Sequence, residues 1–233
     1  MEPLLTSLKK CNLFCDIPSD TIAREIVPYG LIKDLPKGTL VISLHEQVTH
    51  FGILLTGKIH IEHIFIDGTF SIMDVLDPPQ ILGADLICTR TQISPYYAIS
   101  EAASQVFFFP AQLVLNPGRG LEPYRFDMLN RLLTLISDAN IRKEYRLTIL
   151  SKKGLRERIL TYLTMQANKR NTDTITIPFS REELAAFLCV NRSALSHELS
   201  LMQQEGLIRF HKNQFTLLHW EKTPSVHLSY RKE

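Results

Sequence analysis

The most constraining feature of this sequence is a pair of short helix patterns between Ser180 and Gly206, separated by a two-residue break. Ser180 and Glu183, three residues later, form a capping box, which is a signal for the start of a helix. The apolar pattern of that helix stops at Cys189-Val190, and Asn191 then supplies a second N-cap. Gly206 ends the second helix. Two short helices joined by so tight a break are typical of a helix-turn-helix.

The outward face of the second helix is polar near its N-terminus. Leu195, Leu199 and Met202 recur at positions i, i+4 and i+7 and are expected to face inward. The outward positions carry hydrogen-bonding side chains, which suit the reading of base edges in the major groove of DNA. A hairpin pattern at Leu207–Arg209 and His211–Leu218 predicts a wing, although spacing alone leaves open that these elements merely pack together. The predicted DNA-contacting residues are Arg181, Asn191, Arg192, Ser193, Ser196, His197 and Lys212.

The distribution of charge favours DNA binding by the same half of the chain. Residues 1–121 hold 8 Lys+Arg against 12 Asp+Glu, a net charge of −4, and residues 122–233 hold 18 against 12, a net charge of +6. A basic C-terminal half behind an acidic N-terminal half indicates a polyanion-binding domain attached to a domain of another kind.

From Leu31 to about Leu115 the sequence reads as short strands separated by turn signals such as Thr56-Gly57 and Asp67-Gly68. Many short strands separated by regularly spaced turn signals favour a β-sandwich or β-roll over a parallel sheet. The predicted strands are Thr39–Leu44, Phe51–Leu55, Lys58–Phe65, Ser71–Val75 and Gln105–Phe109. The predicted domains are a β-roll sensor with N-terminal helices at 1–121, a helix at 122–150, and a winged helix-turn-helix at 151–233.

The region Glu122–Leu150 predicts one long helix, since apolar residues recur at three- and four-residue spacing. Leu129, Leu132, Ile136 and Ala139 fit a short heptad seam. Such a helix either packs on its own β-domain or also pairs with its copy in a second chain. We favour the pairing, so these four residues are the predicted interface of a homodimer.

Two segments carry a resemblance to a known family. The run from Asn191 to Leu199, continued by Gln204–Ile208, resembles the recognition helix and wing of the Crp/Fnr regulators, which include the cyclic-AMP receptor protein. Phe51–Ile59 resembles a strand and turn of their β-roll, and Gly38, Gly57 and Gly83 lie where its tight turns have glycine. The resemblance spans residues 10 to 218 and implies an α+β fold. It would comprise a cyclic-nucleotide-binding-like β-roll (a double-stranded β-helix), a long dimerisation helix and a C-terminal winged helix-turn-helix.

The same resemblance implies that Arg192 contacts a guanine, because bidentate arginine–guanine contacts are the commonest specific ones. Two positions depart from the family pattern. Ser193 stands where a glutamate is frequent, and His197 stands where an arginine is frequent. The operator is therefore expected to differ from the best-known one. Two-fold symmetry implies a pseudo-palindromic site with half-sites about 34–36 Å apart.

The family holds cyclic AMP with a Gly-Glu pair at the ribose and an Arg-Ser pair at the phosphate. In this chain Ala84 takes the glutamate position and Pro95-Tyr96 the arginine and serine positions. A buried phosphate without a cationic partner is costly, so cyclic AMP is not expected to bind in the usual way. Either another effector occupies this pocket or tyrosines fill it. The candidate pocket residues are Gly83, Ala84, Asp85, Tyr96 and Tyr97.

No metal or cofactor is predicted. An iron–sulfur cluster requires four thiolates, and among the cysteines only Cys11 and Cys15 are near each other in sequence. His60 and Glu62 would share one face of a strand with His63 opposite, which gives no convergent set of metal ligands. Haem ligation by one of the histidines has no support in the sequence.

These observations together predict a dimeric, sequence-specific DNA-binding transcription regulator that is not an enzyme. The predicted location is the cytoplasm. No run approaches the roughly 18 apolar residues that span a bilayer, and the N-terminus lacks a leader pattern, so no membrane is involved. The expected partners are double-stranded operator DNA, a second copy of the chain, an unknown small-molecule effector and, for an activator, RNA polymerase. The alternatives are a cupin-like metal-dependent enzyme and a cyclic-nucleotide-binding regulatory module.

Overall fold

The computed structural model describes residues 2–118 and 120–219. The chain forms two compact units, Met1–Glu144 and Tyr145–Glu233. The domain boundaries predicted from sequence stay predictions, and residues 220–233 of the predicted C-terminal domain lie outside the described residues. Within the described part of the chain, no helix is both long enough and apolar enough to cross a membrane.

The first unit is a β-roll preceded by short helices. The elements are α1 (Glu2–Lys10), α2 (Ser19–Glu25), β1 (Leu31–Leu35), β2 (Leu40–Ile42), β3 (His50–Thr56), β4 (Ile59–Ile64), β5 (Phe70–Leu76), β6 (Ile81–Leu82), α3 (Ala84–Ile87), β7 (Tyr97–Ser100), β8 (Ser104–Pro110) and α4 (Gln112–Leu115). The strands form two four-stranded antiparallel sheets, in the orders β1-β8-β3-β6 and β2-β7-β4-β5.

The five predicted strands correspond to β2, β3, β4, β5 and β8. Sequence analysis missed β1, β6 and β7. Four of the five residues of β1 are exposed, so the strand lacks the alternation that reveals a half-buried strand. It is held by antiparallel pairing with β8, where Leu31 faces Phe108. That partner is far away in sequence, which no local pattern records.

Packing between the N-terminal helices and the first sheet centres on phenylalanines. The ring of Phe109 lies 5.3 Å from that of Phe14, 5.6 Å from that of Phe51 and 5.7 Å from that of Phe107, measured between centroids. All four are essentially inaccessible to solvent. Fully burying one such side chain stabilises a fold by about 1.5–3 kcal/mol, so this cluster anchors the helices to the roll.

The turn between β3 and β4 requires glycine. Gly57 has φ +91°, and a Cβ atom there would lie 2.6 Å from the carbonyl oxygen of Ala103. Such a contact is too close for any side chain, and the positive φ is the region that glycine adopts without strain. Gly38 and Gly83 share the positive φ, at +83° and +85°, so the prediction of tight turns at these three glycines is confirmed.

A long helix, α5, spans Arg125–Leu150, after a single 3-10 turn at Glu122–Tyr124. The predicted long helix is therefore confirmed, with its α-helical part starting three residues later than expected. Met128 and Leu132 of α5 lie in the hydrophobic core of the first unit. Apolar side chains elsewhere on α5 are exposed, including Phe126 and Leu133.

The second unit is a winged helix. Its elements are α6 (Leu155–Arg170), β9 (Thr174–Thr176), α7 (Arg181–Phe187), α8 (Arg192–Gln204), β10 (Ile208–His211) and β11 (Gln214–Leu217), and its strands form an antiparallel sheet in the order β10-β11-β9. The rings of Tyr162, Phe179 and Phe187 pack against one another with centroids 4.9–6.0 Å apart. This cluster joins α6 to the start and the end of α7.

Candidate nucleic-acid interface

The first helix of the motif, α7, starts as its sequence predicts. The Ser180 hydroxyl accepts a hydrogen bond from the Glu183 amide at 3.2 Å, and the Glu183 carboxylate accepts one from the Ser180 amide. These two bonds satisfy backbone donors that otherwise have no partner at the start of a helix. The predicted capping box is confirmed.

The turn between α7 and α8 is bound by two arginines that sequence analysis did not identify. Arg146, buried at the end of α5, places a guanidinium nitrogen 3.5 Å from the carbonyl oxygen of Phe187 and 3.6 Å from the Cys189 sulfur. Arg158 of α6 donates to the carbonyl oxygen of Leu188 at 3.2 Å. Burial lowers the pKa of Arg146. Cys189 has φ +58°, the left-handed region that favours glycine, so these bonds hold a turn that its own backbone disfavours.

The recognition helix α8 presents a polar face to solvent. Arg192, Ser193 and His197 are exposed, and Ser196 is half-buried. The side-chain oxygen of Asn191 caps the helix by accepting from the Ala194 amide at 2.7 Å and from the Ser193 hydroxyl at 2.8 Å. Leu195, Leu199 and Met202 on the opposite face are completely buried, as predicted.

Sequence analysis missed Ser200, which continues the same outward face. It is exposed and lies seven residues after Ser193 and four after Ser196. Its hydroxyl donates to the carbonyl oxygen of Ser196 at 2.9 Å. The i, i+3, i+7 spacing of the outward serines Ser193, Ser196 and Ser200 is the signal that would have found it.

Arg156 of α6 binds two carboxylates of the recognition-helix region. Its Nε donates to Glu198 at 2.6 Å, and its two terminal nitrogens donate to the two oxygens of Glu205 at 2.6 and 2.9 Å. The two glutamates in turn raise the pKa of Arg156 through hydrogen bonds and charge. A bidentate arginine–carboxylate pair fixes geometry as well as charge. Arg156 therefore both orients α8 and neutralises acidic groups beside its polar face.

We expect Arg156→Gln to weaken binding to specific and to random DNA by a similar factor, several-fold at low salt. The substitution leaves Glu198 and Glu205 as uncompensated negative charges on and just after the helix that is predicted to contact DNA. Fluorescence anisotropy on both duplexes, over a range of salt concentrations, measures this effect.

Lys153→Gln is the matched control, since it removes an exposed positive charge from the segment that precedes α6 without disturbing this ion-pair network. Adding Glu198→Gln and Glu205→Gln to the Arg156 variant should restore affinity. A variant that binds both duplexes as the wild type does contradicts the assigned role.

The wing is ordered by Arg181, the first residue of α7. Its guanidinium lies 4.9 Å from the ring centroid of Phe210 and 5.6 Å from that of Phe215. It also donates to the carbonyl oxygen of Lys212, at the tip of the wing, at 3.3 Å. Burial, and next the charge of Arg192, lower the pKa of Arg181. The structure thus brings Arg181, Arg192 and Lys212 together on one side of the motif.

The predicted sensor residues are linked by a polar network in the first unit. Asp85 of α3 accepts from the Tyr96 hydroxyl at 2.8 Å and pairs with Lys143 of α5 at 3.0 Å. One position earlier on α5, Arg142 pairs with Asp74 of β5 at 3.1 Å. Tyr96 is buried, and its burial raises the pKa of its hydroxyl. Two cations of α5 therefore bind two carboxylates of the roll.

The other candidate sensor residues surround this network. Gly83 precedes α3 in the left-handed conformation, and Ala84, the first residue of α3, is buried. Tyr97 begins β7 and is half-buried. A cleft of about 300 Å³ lies nearby, with apolar side chains such as Val48, Leu82 and Phe108 in its lining. None of the five predicted pocket residues lines it.

Two family profiles match the sequence. The profile described as a cyclic nucleotide-binding domain matches residues 32–116, and that of a Crp-like helix-turn-helix domain matches residues 157–222. The first match covers the β-roll and the second covers the winged helix. The chain belongs to the Crp/Fnr family of transcription regulators. The predicted fold class is confirmed.

Solved structures of Crp/Fnr-type regulators have the same architecture. CLP of Xanthomonas campestris, described as a c-di-GMP responsive global regulator, is 15% identical with a TM-score of 0.68 over 87% of this chain and 100% of that chain. A CooA variant from Carboxydothermus hydrogenoformans is 14% identical with a TM-score of 0.64, over 82% and 84%. FixK2 from Bradyrhizobium japonicum is 16% identical with a TM-score of 0.62, over 81% and 92%. Identities this low show a shared fold alone. No curated protein matches the chain.

Within the described residues, no three His, Cys, Asp or Glu side chains lie close enough to share a metal ion. His60 and Glu62 share a strand face as expected, with Nδ1 and Oε1 3.3 Å apart, and both are buried. Cys11 is buried in the core, which raises the pKa of its thiol to about 11. That burial fits a core role for Cys11.

Proposed function

We propose that this Crp/Fnr regulator binds DNA as a homodimer and reads a pseudo-palindromic operator with two copies of α8. The observation that carries the proposal is the sidedness of α8. Arg192, Ser193 and His197 are exposed at its N-terminal end, whereas its opposite face is buried in the second unit. Recognition helices read base edges with hydrogen-bonding side chains near their N-terminus.

The pairing of two chains is supported by the exposed face of α5. Phe126 and Leu133, one heptad apart, are 75% and 64% exposed in the single chain. Leu129 and Ile136 lie three residues after each of them and are half-buried, which completes an a/d pattern of a coiled coil. Leu132, in contrast, is only 3% exposed and packs in the core of its own unit. The proposed seam therefore consists of Phe126, Leu129, Leu133 and Ile136, with Ala139 half-buried beyond it.

Contacts to phosphates would supply affinity and a strong salt dependence. Lys212, exposed at the tip of the wing, is suited to this contact. We assign Arg181 a different task from the DNA contact predicted from sequence alone. Because its guanidinium packs on the rings of the wing and binds the Lys212 carbonyl, Arg181 holds the tip of the wing in place.

The effector is proposed to be something other than cyclic AMP bound in the usual way of the family. Tyr96 occupies a position of the phosphate-binding pair, and its hydroxyl binds Asp85. Asp85 is in turn paired with Lys143, so this cation beside the candidate pocket residues already has a carboxylate partner. A cyclic phosphate at this place would need a cation of its own. These contacts also support the hypothesis that side chains fill the pocket.

Selection of binding sites from random duplex DNA by the full-length protein tests the proposal. We expect an enriched site with two related half-sites, and native mass spectrometry of the selected complex should show two chains per duplex. The free protein should retain no added mass when mixed with cyclic AMP; cyclic di-GMP is a second probe, because CLP responds to it. A selection without enrichment contradicts the reading function, and one chain per duplex contradicts the dimer.

A further inference from the structure

The first turn of α8 contains a hydrogen bond that restricts what Ser193 can offer to DNA. The side-chain oxygen Oδ1 of Asn191 lies 2.7 Å from the Ala194 amide nitrogen and 2.8 Å from the Ser193 hydroxyl oxygen. The Ala194 amide is a donor and nothing else, so the Asn191 atom that it meets is the acceptor oxygen. The alternative orientation of the Asn191 amide would place two donors against each other.

The hydroxyl proton of Ser193 is consequently already donated to Asn191. A serine hydroxyl has one proton and two lone pairs, and Oδ1 of Asn191 can bind it only by accepting that proton. The same oxygen caps the helix, so the bond is part of the N-cap and not an accidental surface contact. Ser193 is nevertheless exposed. It therefore presents lone pairs, and no proton, to whatever approaches the outward face of α8.

Because the Ser193 hydroxyl can only accept a hydrogen bond from DNA, it distinguishes among bases. In the major groove, adenine and cytosine carry an exocyclic amine that donates, whereas guanine and thymine present acceptors at the corresponding positions. An acceptor-only hydroxyl can bind the amine of adenine or cytosine and opposes the carbonyl oxygen of guanine or thymine. We propose that Ser193 is a specificity-determining residue that requires adenine or cytosine at the base it contacts, with Asn191 as the positioning residue that enforces this choice.

The inference rests on the proposed function, since it supposes that α8 reads the major groove. Beyond that function, the inference names the class of base that Ser193 contacts, a base with an amine donor in the major groove, and gives the reason for it. The exposed position of Ser193, one residue after Arg192, places it among the first side chains of α8 to meet a base edge. A serine at the same position without the Asn191 bond would donate or accept, and would discriminate less.

Site selection with four full-length proteins tests the inference: wild type, Ser193→Ala, Asn191→Gly and Asn191→Asp. In the wild-type consensus we expect one position per half-site restricted to adenine or cytosine, and Ser193→Ala should remove that restriction. Asn191→Gly releases the hydroxyl while keeping a tolerated N-cap, so the same position should also admit guanine or thymine. Asn191→Asp keeps the acceptor and should keep the restriction, even if the added charge weakens binding to all sequences.

A base analogue gives a second measurement on the selected site. Replacing the restricted adenine by purine, or the restricted cytosine by 2-pyrimidinone, deletes only the exocyclic amine. Wild-type affinity should fall roughly two- to tenfold, the worth of one hydrogen bond, and the affinity of Ser193→Ala should not change.

The outcomes separate this inference from the function on which it rests. A wild-type protein that selects no sequence overturns both. A clear consensus in which Ser193→Ala changes no position, or changes one occupied by guanine or thymine, overturns the role of Ser193 alone. A consensus that broadens in Asn191→Asp as much as in Asn191→Gly overturns the role of the Asn191 acceptor.

Discussion

Replacing Leu133 by aspartate is expected to convert the protein from a dimer to a monomer and to lower its affinity for the operator by more than 100-fold. Leu133 lies at the centre of the exposed apolar seam on α5, one heptad after Phe126. Pairing two copies of α5 would place two aspartates against each other in an apolar interface, and burying an unpaired charge is costly. A monomer holds one recognition helix, and it loses the second half-site as well as the gain in effective concentration.

Thr134→Asp is the matched control for this experiment. It adds the same charge one residue further along the same helix, at an exposed position outside the a/d pattern. Sedimentation equilibrium measures the association state, and gel-shift titration of the selected duplex measures affinity. The proposed seam is wrong if Leu133→Asp remains a dimer, or if Thr134→Asp dissociates to the same degree.

The second large effect is expected for Arg192→Ala, which should lose discrimination at one base position of each half-site. Arg192 is exposed at the first position of α8, and we propose that its guanidinium forms a bidentate contact to guanine. Loss of this contact should weaken the binding free energy for the specific duplex by about 1–3 kcal/mol per contact. Binding to random DNA should change much less, because a base contact supplies discrimination between sequences.

Lys212→Asn provides the contrast for Arg192→Ala. Lys212 has φ +53°, a conformation that asparagine tolerates, so the wing should keep its shape. Because Lys212 is assigned to a phosphate, its loss should weaken binding to all sequences alike and reduce the salt slope by about 1. Competition titrations with specific and random duplexes distinguish the two patterns. If Arg192→Ala instead weakens both duplexes equally, Arg192 contacts the backbone and does not read a base.

Local signals in the sequence were sufficient to predict much of the second unit. Ser180 with Glu183 and Asn191 before Arg192 identify both helix starts, because a cap is a contact between residues two or three positions apart. The buried face of α8 follows from the i, i+4, i+7 spacing of its leucines and methionine. Strands with strong turn signals were found for the same reason, since each such signal lies within a few residues.

The contacts that join distant parts of the chain could not be predicted in this way. Leu132 fits a heptad as well as Leu133 does, and only the packing of α5 on the core of its unit shows which of the two is exposed. The pairing of Asp85 with Lys143 joins residues 58 positions apart. No periodicity in the sequence relates such partners.

The sequence by itself therefore determined five of the eight strands of the first unit, the helix caps and the polar face of α8, because each depends on near neighbours and on burial periodicity. The tertiary structure alone decided which arginines are held by contacts within the protein. Arg156 binds Glu198 and Glu205, and Arg181 packs on the wing. The physical reason is that a charged side chain takes its role from the partners that folding brings within hydrogen-bonding distance, and those partners lie tens of residues away along the chain.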